Sequence, residues 1–381
     1  MHASATHLFT RELDLLNIEK WEYKVEDKSL LSRLYKPLWE KLATLIPRSV
    51  APNVVTLCAV VCIFQSYWLA YKYSDVDEYH SEVCYACALL TYLYMTLDAI
   101  DGMVARNTLN TSPLGEFFDH SCDNIAGSFI IITLLLLIGV DVSVTMWYIV
   151  QALQLASLSV HIRAFGDKER KIRFGYLTGP DELLHVIIFL MLFVARFGKE
   201  ELWTQGSELA INLYNGYVRE YVPCEEGLEG DALAKWIFAG AAQAAYWACN
   251  VYVGLQVVLL DSKYFATKFG FMLSLAMRAV PAILASFISD SKQSLESMES
   301  ILSDGLFLSI LCSDIIVAKM ANRDLHSLVP VIAMLSILSN SIIFAAVALY
   351  HVTVIFDMCA FLNLPLLNPV INVYVRNLLE H

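Results

Sequence analysis

Four aspartates lie close together in one stretch of otherwise apolar sequence, at Asp98, Asp101, Asp119 and Asp123. The first two are three residues apart and the last two are four apart, so on helices each pair shares one face. Carboxylates inside apolar helices are costly, and by default they mark a functional site. Four together would repel one another unless cations neutralise them, and carboxylate oxygens suit Mg²⁺ or Mn²⁺, often as a pair of ions. The spacing therefore predicts a site for two divalent cations.

Small and basic residues beside the aspartates predict room for a phosphate-bearing ligand. Gly102 and Ala105 lie on the same helix side as the first aspartate pair, where a planar ring could approach the backbone closely. Gly115 stands four residues before Asp119 on the next helix, and Arg106 can hold a phosphate with its fork of donors. Spacing alone leaves a second function open, a proton or cation pathway through a transporter.

The elements that carry these residues are predicted to be the end of one membrane span and the start of the next. A turn near 106–114 separates the two spans, and Ser112 followed by Pro113 is typical of an N-cap and a first helical position. The short connection makes the two helices antiparallel neighbours. It therefore brings the two aspartate pairs opposite each other.

The composition indicates a membrane protein whose partner is lipid. The chain has 381 residues, of which 57% are hydrophobic, and its mean hydropathy is +0.55. A water-soluble globule of this size could not bury so much apolar surface. The formal charge is −12 and the basic residues lie in short separated runs, which excludes a nucleic acid partner. The nine cysteines lie mostly in apolar stretches, where they behave as buried hydrophobes rather than as a disulfide framework.

The hydropathy pattern predicts an all-α bundle, because a bilayer core takes about 20 apolar residues as helix. Ten candidate spans fit, near 53–72, 84–105, 115–139, 144–165, 181–198, 234–260, 270–289, 301–321, 327–350 and 353–370. Residues 51–381 therefore form one predicted membrane domain, with the aspartate motif at 98–123. Residues 1–50 are predicted to be a cytosolic segment whose stretch 30–46 forms an amphipathic helix. That helix either lies in the membrane interface or packs as an ordinary surface helix.

The charge of the connections predicts the orientation of the bundle. The connections at 106–114, 163–173, 263–268 and 319–323 are basic, whereas those at 73–83 and 199–232 are acidic. The positive-inside rule therefore places both termini and the aspartate motif on the cytosolic side.

The stretch from 98 to 123 resembles the signature of the CDP-alcohol phosphotransferase family. That signature is D-x-x-D-G-x-x-A-R, eight further residues, and then G-x-x-x-D-x-x-x-D, which this chain matches at Asp98, Asp101, Gly102, Ala105, Arg106, Gly115, Asp119 and Asp123. A looser resemblance, running from near Trp21 through the last span, is to the choline and ethanolamine phosphotransferases of eukaryotic endomembranes. Its marks are A-P-N-V-V-T at 51–56, P-L-G-E-F-F-D-H at 113–120 and T-G-P at 178–180. The signature disfavours the transporter.

The resemblance implies a reaction, its substrates and its setting. The enzyme would transfer phosphoethanolamine or phosphocholine from CDP-ethanolamine or CDP-choline to diacylglycerol or alkyl-acylglycerol, releasing CMP and forming phosphatidylethanolamine or phosphatidylcholine. This is the last step of the Kennedy pathway. Another head group, such as inositol, is the alternative within the family. The resemblance further implies a homodimer of the endoplasmic reticulum or Golgi membrane.

The resemblance also implies roles for single residues. The four aspartates would bind the metal ions, with Asp119 as a candidate bridge between them. Asn53, in the family's Pro-Asn-x-x-Thr sequence, would lie near the nucleotide, or else serve as a plain N-cap. The CDP-alcohol would be bound by Asn53, Gly102, Ala105, Arg106 and Gly115.

The lipid hydroxyl is a weak nucleophile and needs a base within hydrogen-bond reach. We favour His120, which follows Asp119, assisted by Glu116 four residues earlier on the same helical face. Asp123 is the alternative base, in which case His120 would only support the metal site. The remaining polar residues in or beside apolar segments are predicted to make local hydrogen bonds, namely His161, Glu182 and His185.

Overall fold

The computed structural model describes residues 7–223, 230–287, 295–335 and 339–368, and almost all regular structure in these ranges is helical. Thirteen α-helices follow one another in the described chain: α1 Glu12–Glu19, α2 Leu30–Leu45, α3 Pro52–Tyr73, α4 His80–Asn107, α5 Pro113–Leu137, α6 Val144–Gly166, α7 Pro180–Phe197, α8 Lys199–Leu213, α9 Gly230–Val258, α10 Phe265–Phe287, α11 Met298–Ala321, α12 Leu328–Leu335 and α13 Asn340–Leu362. The predicted all-α class is confirmed.

Five helices of the described residues are long and apolar enough to cross a membrane, namely α3, α4 with the turn before it, α5, α11 and α13. The helices α9 and α10 pass the same test only together, as a pair bent by 116°, and add at most one span. The chain is thus a polytopic helical membrane protein. The described residues give five or six such spans, fewer than the ten predicted from hydropathy.

The predicted boundary between the ninth and tenth spans, at 351–352, is wrong. Helix α13 runs through it without interruption, from Asn340 to Leu362. The ring of His351, at this boundary, makes a 3.0 Å hydrogen bond with the hydroxyl of Ser313 on α11. A polar residue can remain inside an apolar helix when a neighbouring helix supplies its partner.

Helix α11 is the central element of the bundle, and it packs against α5, α6 and α13. Almost all of its residues are buried, because small residues on several faces allow the neighbouring helices to approach closely. At Gly305 an added Cβ would lie only 2.6 Å from the Oγ of Ser128 on α5. Glycine is therefore required where α5 and α11 cross.

A two-stranded parallel sheet joins the N-terminal segment to the connection after α6. Strand β1, Val25–Asp27, pairs with β2, Ile172–Phe174, in the register Val25↔Ile172 and Asp27↔Phe174. The amide of Ile172 donates to the carbonyl of Lys24 at 3.1 Å, which extends the pairing by one residue. The sequence analysis contained no strand here, because three-residue strands carry too little periodicity to recognise.

Helix α2 forms where an amphipathic helix was predicted. At the start of α2, the Ser29 hydroxyl and the Leu30 amide donate hydrogen bonds of 2.5 Å and 2.9 Å to a carboxylate oxygen of Glu182. Glu182 lies in the first turn of α7. Trp39 is buried in a cluster with Ile100 of α4. Four leucines remain exposed, at Leu30, Leu34, Leu38 and Leu45. The helix thus packs on α4 and also presents apolar side chains outward, while its place in a membrane interface stays a prediction.

The basic connections meet at one end of the bundle. Arg170, after α6, donates to the carbonyl of Lys319 at the end of α11, and at 2.9 Å to the hydroxyl of Tyr264, after α9. The turn between α4 and α5 lies at the same end, because Arg106 and Lys171 line one cavity there. This grouping agrees with the predicted common side of the basic loops. Which compartment they face stays a prediction.

Candidate active site

The turn between α4 and α5 is built as the sequence predicts. Helix α4 ends at Asn107, and α5 begins with Pro113 in its first turn. The Oγ of Ser112 accepts the amide of Gly115 at 3.0 Å and caps α5. The capped turn fixes the start of α5, and with it the direction in which the α5 aspartates face α4.

The carboxylates of the four aspartates converge. Asp98, Asp101 and Asp119 each offer an oxygen within 4.8 Å of the others, and a second group of the same kind consists of Asp119, His120 and Asp123. Asp119 belongs to both groups, so it lies between the two aspartate pairs. The structure therefore brings together the residues that the spacing placed on facing helices.

The hydrogen bonds around the carboxylates leave oxygen atoms free for a cation. The hydroxyl of Thr56 donates to Asp101, and the hydroxyl of Tyr94 donates to Oδ1 of Asp123 at 2.8 Å. The Oδ1 of Asp119 is buried and has no hydrogen-bond partner among the described residues. A buried carboxylate oxygen without a partner is costly unless a cation compensates it. An all-carboxylate set with one imidazole beside it fits a hard divalent ion such as Mg²⁺ or Mn²⁺.

A cavity of about 890 Å³ opens above the aspartates. This volume lies in the range of about 300–1,000 Å³ that is usual for small-molecule sites. Its lining includes all the residues predicted to bind the CDP-alcohol and several from the metal site, namely Asn53, Gly102, Ala105, Arg106, Gly115, Asp101, Asp119, His120 and Glu116. Residues from α3, α4 and α5 thus meet around one space.

The glycines of the motif leave space along the walls of this cavity, because they have no side chain. A Cβ on Gly102 would lie 3.4 Å from the guanidinium of Arg106, and one on Gly115 would lie 3.7 Å from Oδ1 of Asn53. The alternative role of Asn53 as an N-cap is wrong, because Ala51 occupies that position and α3 begins at Pro52. The side-chain amide of Asn53 instead donates to the carbonyl of Leu366 at 2.9 Å and faces the cavity.

His120 lies at the edge of the aspartate cluster. Its Nδ1 is 3.9 Å from Oδ2 of Asp123. Its ring centroid is 5.7 Å from that of Tyr23 and 5.6 Å from that of His161. A base at this position would have one face toward the cavity and a carboxylate at its side.

Glu116 does not make the contact with His120 that the four-residue spacing predicts. Its Oε2 accepts the indole N–H of Trp21 at 2.6 Å, and its Oε1 accepts the ammonium of Lys319 at 3.1 Å. Both donors come from distant parts of the chain, so helical spacing on α5 could not reveal them. The two carboxylate oxygens of Glu116 are thus engaged away from the imidazole.

Two of the other polar residues singled out in the sequence, Glu182 and His185, make hydrogen bonds. Nδ1 of His185 lies 2.7 Å from the carbonyl of Asp181, and Glu182 caps α2. His161 is buried beside His120, and its Nδ1 has no hydrogen-bond partner among the described residues.

The sequence analysis missed the contribution of the N-terminal segment to the cavity. The stretch 21–25 supplies part of its lining, together with Glu169 and Lys171 of the connection after α6. Hydrogen bonds from Lys28 and Lys171 fasten Glu26 in β1 and lower the pKa of its carboxyl to about 2. The one available signal was the start of the looser family resemblance near Trp21.

Comparisons with known proteins identify the domain. Residues 49–213 match the family model described as CDP-alcohol phosphatidyltransferase, and this range contains all four aspartates and the cavity residues of α3, α4 and α5. Residues 49–213 are therefore similar to the CDP-alcohol phosphatidyltransferase domain.

Two similar proteins carry the names of a choline and a choline/ethanolamine phosphotransferase. The chain is 30% identical over 200 residues to cholinephosphotransferase 1 of Saccharomyces cerevisiae, and the aligned residues cover 51% of this chain and 50% of the relative. It is 37% identical over 115 residues to choline/ethanolaminephosphotransferase 1 of Arabidopsis thaliana, covering 29% of this chain and 30% of the relative. An uncharacterised CDP-alcohol phosphatidyltransferase class-I family protein of Schizosaccharomyces pombe is 32% identical over 216 residues, which is 55% of this chain and 54% of the relative. At most, the chain thus spans about half the length of these relatives.

Proposed function

We propose that this protein transfers phosphoethanolamine or phosphocholine from CDP-ethanolamine or CDP-choline to the hydroxyl of diacylglycerol or alkyl-acylglycerol. CMP leaves, and the product is phosphatidylethanolamine or phosphatidylcholine. The observation that carries the proposal is the convergence of Asp98, Asp101 and Asp119 beneath a cavity lined by the rest of the family signature. The printed names of the yeast and plant relatives support the choice of head group.

The chain's own residues account for binding and orientation. Arg106 at the cavity mouth holds the diphosphate, while Gly102 and Ala105 leave space on α4 for the cytosine ring. Asn53 contacts the nucleotide from α3, and Gly115 lets it approach α5. Fixing the reactants in this way is a large part of what an enzyme without a covalent intermediate contributes.

Asp98, Asp101, Asp119 and Asp123 would hold two Mg²⁺ or Mn²⁺ ions, and these ions would supply the positive charge that stabilises the departing CMP. His120 takes the proton from the lipid hydroxyl, whose oxygen attacks the β-phosphorus while the bond to the CMP oxygen breaks. Asp123, 3.9 Å from the imidazole, orients the ring. Asp123 is also the alternative base.

The proposed homodimer and the location in the endoplasmic reticulum or Golgi membrane rest on the family resemblance, whereas the cytosolic orientation of the site rests on the basic connections.

Purified protein in lipid nanodiscs tests the reaction. It is supplied with Mg²⁺ or Mn²⁺, with CDP-choline or CDP-ethanolamine, and with diacylglycerol or alkyl-acylglycerol of matched chains. We expect phospholipid and CMP in equal amounts, and the reverse reaction when CMP and phospholipid are supplied. Product formation only from CDP-diacylglycerol and inositol would contradict the proposed head group while retaining the family.

A further inference from the structure

Three side chains from distant parts of the chain meet beside the cavity. Trp21 precedes β1, Glu116 lies on α5, and Lys319 lies near the end of α11. The indole N–H of Trp21 and the ammonium of Lys319 each donate to a different oxygen of Glu116, and the ammonium lies 5.1 Å from the centre of the Trp21 ring. We call these three residues the Trp21–Glu116–Lys319 triad.

The charges of the triad are deeply buried. The side chain of Lys319 is 1% exposed and that of Glu116 is 5% exposed. Burying an ion pair costs desolvation energy, and an apolar pair of the same volume is often at least as stable. Stability alone therefore gives weak reason for a charged pair here. The position of Glu116, three residues before Asp119, gives a stronger reason for the charged pair. Because both of its carboxylate oxygens accept hydrogen bonds from the triad, Glu116 is kept out of the neighbouring metal site.

The triad also holds the stretch 21–25 over the cavity. Beyond Trp21 the chain enters β1, which is fixed by its pairing with β2 beside the cavity. Tyr23 lies between these two attachments, with its ring 5.7 Å from that of His120. A segment attached at both ends and facing the candidate base forms a wall of the reaction space.

Water is a competing acceptor in this reaction. A water oxygen can attack the β-phosphorus in place of the lipid hydroxyl, with the bond to CMP breaking, to give the free phosphoalcohol, CMP and a proton. Sites that avoid such side reactions exclude bulk water from the reacting centre. The cavity lies at the end of the bundle where the loops meet, so its water-facing side needs a cover.

We infer that residues 21–25 are this cover, held by the Trp21–Glu116–Lys319 triad, and that they make the enzyme transfer to lipid rather than to water. The inference rests on the proposed function. Trp21, Glu116 and Lys319 are on this view positioning residues, since they act through the wall and not on the phosphate itself.

The test measures two products from one CDP-alcohol labelled in its head group, namely phospholipid and free phosphoalcohol. In Trp21→Ala the ratio of free phosphoalcohol to phospholipid should rise on the order of 10-fold to 100-fold, as expected when a group that orders a reaction site is displaced by about 1 Å. Trp21→Phe keeps a ring beside Lys319 and loses only the N–H donor, so its ratio should rise less. The matched control is Trp68→Ala, on the exposed face of α3, whose ratio should stay that of the wild type.

Variants of the buried pair give an independent readout. Lys319→Met leaves Glu116 buried without its cation, whereas Lys319→Met with Glu116→Gln restores neutrality and protects the fold. Both should show faster hydrogen exchange at the amides of Lys28 and Ile172, which donate across the β1–β2 pairing. Lys263→Met is the matched control, because that lysine also lies over a ring, 4.7 Å from Tyr264, but on an exposed loop.

The outcomes separate the inference from the function on which it rests. Normal transfer in Trp21→Ala with a wild-type product ratio would overturn the inference alone. Unchanged hydrogen exchange in both Lys319 variants would overturn the role of the triad. A wild-type protein that forms no phospholipid from either CDP-alcohol would overturn the proposed function, and the inference with it.

Discussion

At the scale of single residues, Asp119 lies where the two groups of acidic side chains overlap, and one of its oxygens is buried without a hydrogen-bond partner among the described residues. A buried oxygen without a partner destabilises the fold more than a paired one does. Replacing the Asp119 carboxylate by a neutral group should therefore weaken cation binding more than it destabilises the fold.

Asp98→Asn, Asp101→Asn and Asp119→Asn should each reduce transfer by far more than tenfold, which corresponds to about 1.4 kcal/mol in the barrier. The reason is the loss of a charged ligand at nearly constant volume. Transfer rates at saturating Mg²⁺ and Mn²⁺ measure the effect, and size-exclusion profiles in detergent show whether each variant is folded. A folded variant that retains more than a tenth of wild-type activity would remove that aspartate from the set of ligands.

His120→Ala distinguishes the two candidate bases. If the imidazole takes the proton, kcat should fall by about 10²–10⁴-fold, the usual contribution of a general base, while CDP-alcohol binding survives. If Asp123 is the base, the loss should be closer to about 10-fold to 100-fold, as for an outer partner of a metal ligand. Steady-state kinetics with both substrates, and calorimetric binding of CDP-alcohol to the variant, decide between them.

Some contacts at the site could be predicted from the sequence, whereas others could not. Spacing on a helix places Asp98 with Asp101 and Asp119 with Asp123, because three and four residues make one turn. It also predicts a contact between Glu116 and His120, but spacing has no information about Trp21 and Lys319. Their 95 and 203 residues of separation from Glu116 make the stronger contacts invisible to a local pattern.

At the scale of elements, α4 presents the small residues of the motif to the cavity. Ala105→Leu would place a branched side chain where the cytosine ring is proposed to lie. We expect KM for the CDP-alcohol to rise at least about tenfold, the effect of roughly 1.4 kcal/mol, with little change for diacylglycerol. Initial rates measured against each substrate in turn test this. Equal changes in both KM values would indicate a distorted helix rather than a filled pocket.

Hydropathy predicted where helices occur better than it predicted where they begin and end. The capped turn at Ser112 carried a recognisable signal, and it is present in the structure. A break was predicted at 351–352, but α13 is continuous there and His351 pairs with Ser313 across a helix contact. The pairing of β1 with β2 carried no recognisable sequence signal. Local chemistry therefore predicts where this chain forms helix, while partners contributed by other helices decide where polar residues can stay inside one.

At the scale of the whole molecule, the basic connections gather at the end of the bundle that holds the cavity, which predicts that this end faces the cytosol. Cysteines introduced at exposed Lys168 and Asp141 lie at opposite ends of α6 and should react from opposite sides of a sealed vesicle. Labelling by a membrane-impermeant maleimide measures this, with the unsubstituted protein as the background. Labelling of both positions from the same side would contradict the span predicted from hydropathy at 144–165.

The route of the N-terminal segment has a consequence for how the protein is made. The hydroxyl of Thr10 donates to the carboxylate of Asp357 at 2.6 Å, across 347 residues of sequence. Trp21 likewise contacts Lys319, which is synthesised much later. A segment that is synthesised early thus finds its partners in segments that are synthesised much later. Closing so long a loop is slow compared with forming local helices. A nascent chain would hold its aspartates in place long before its reaction space is covered, so catalytic competence should arise only after synthesis has reached α13.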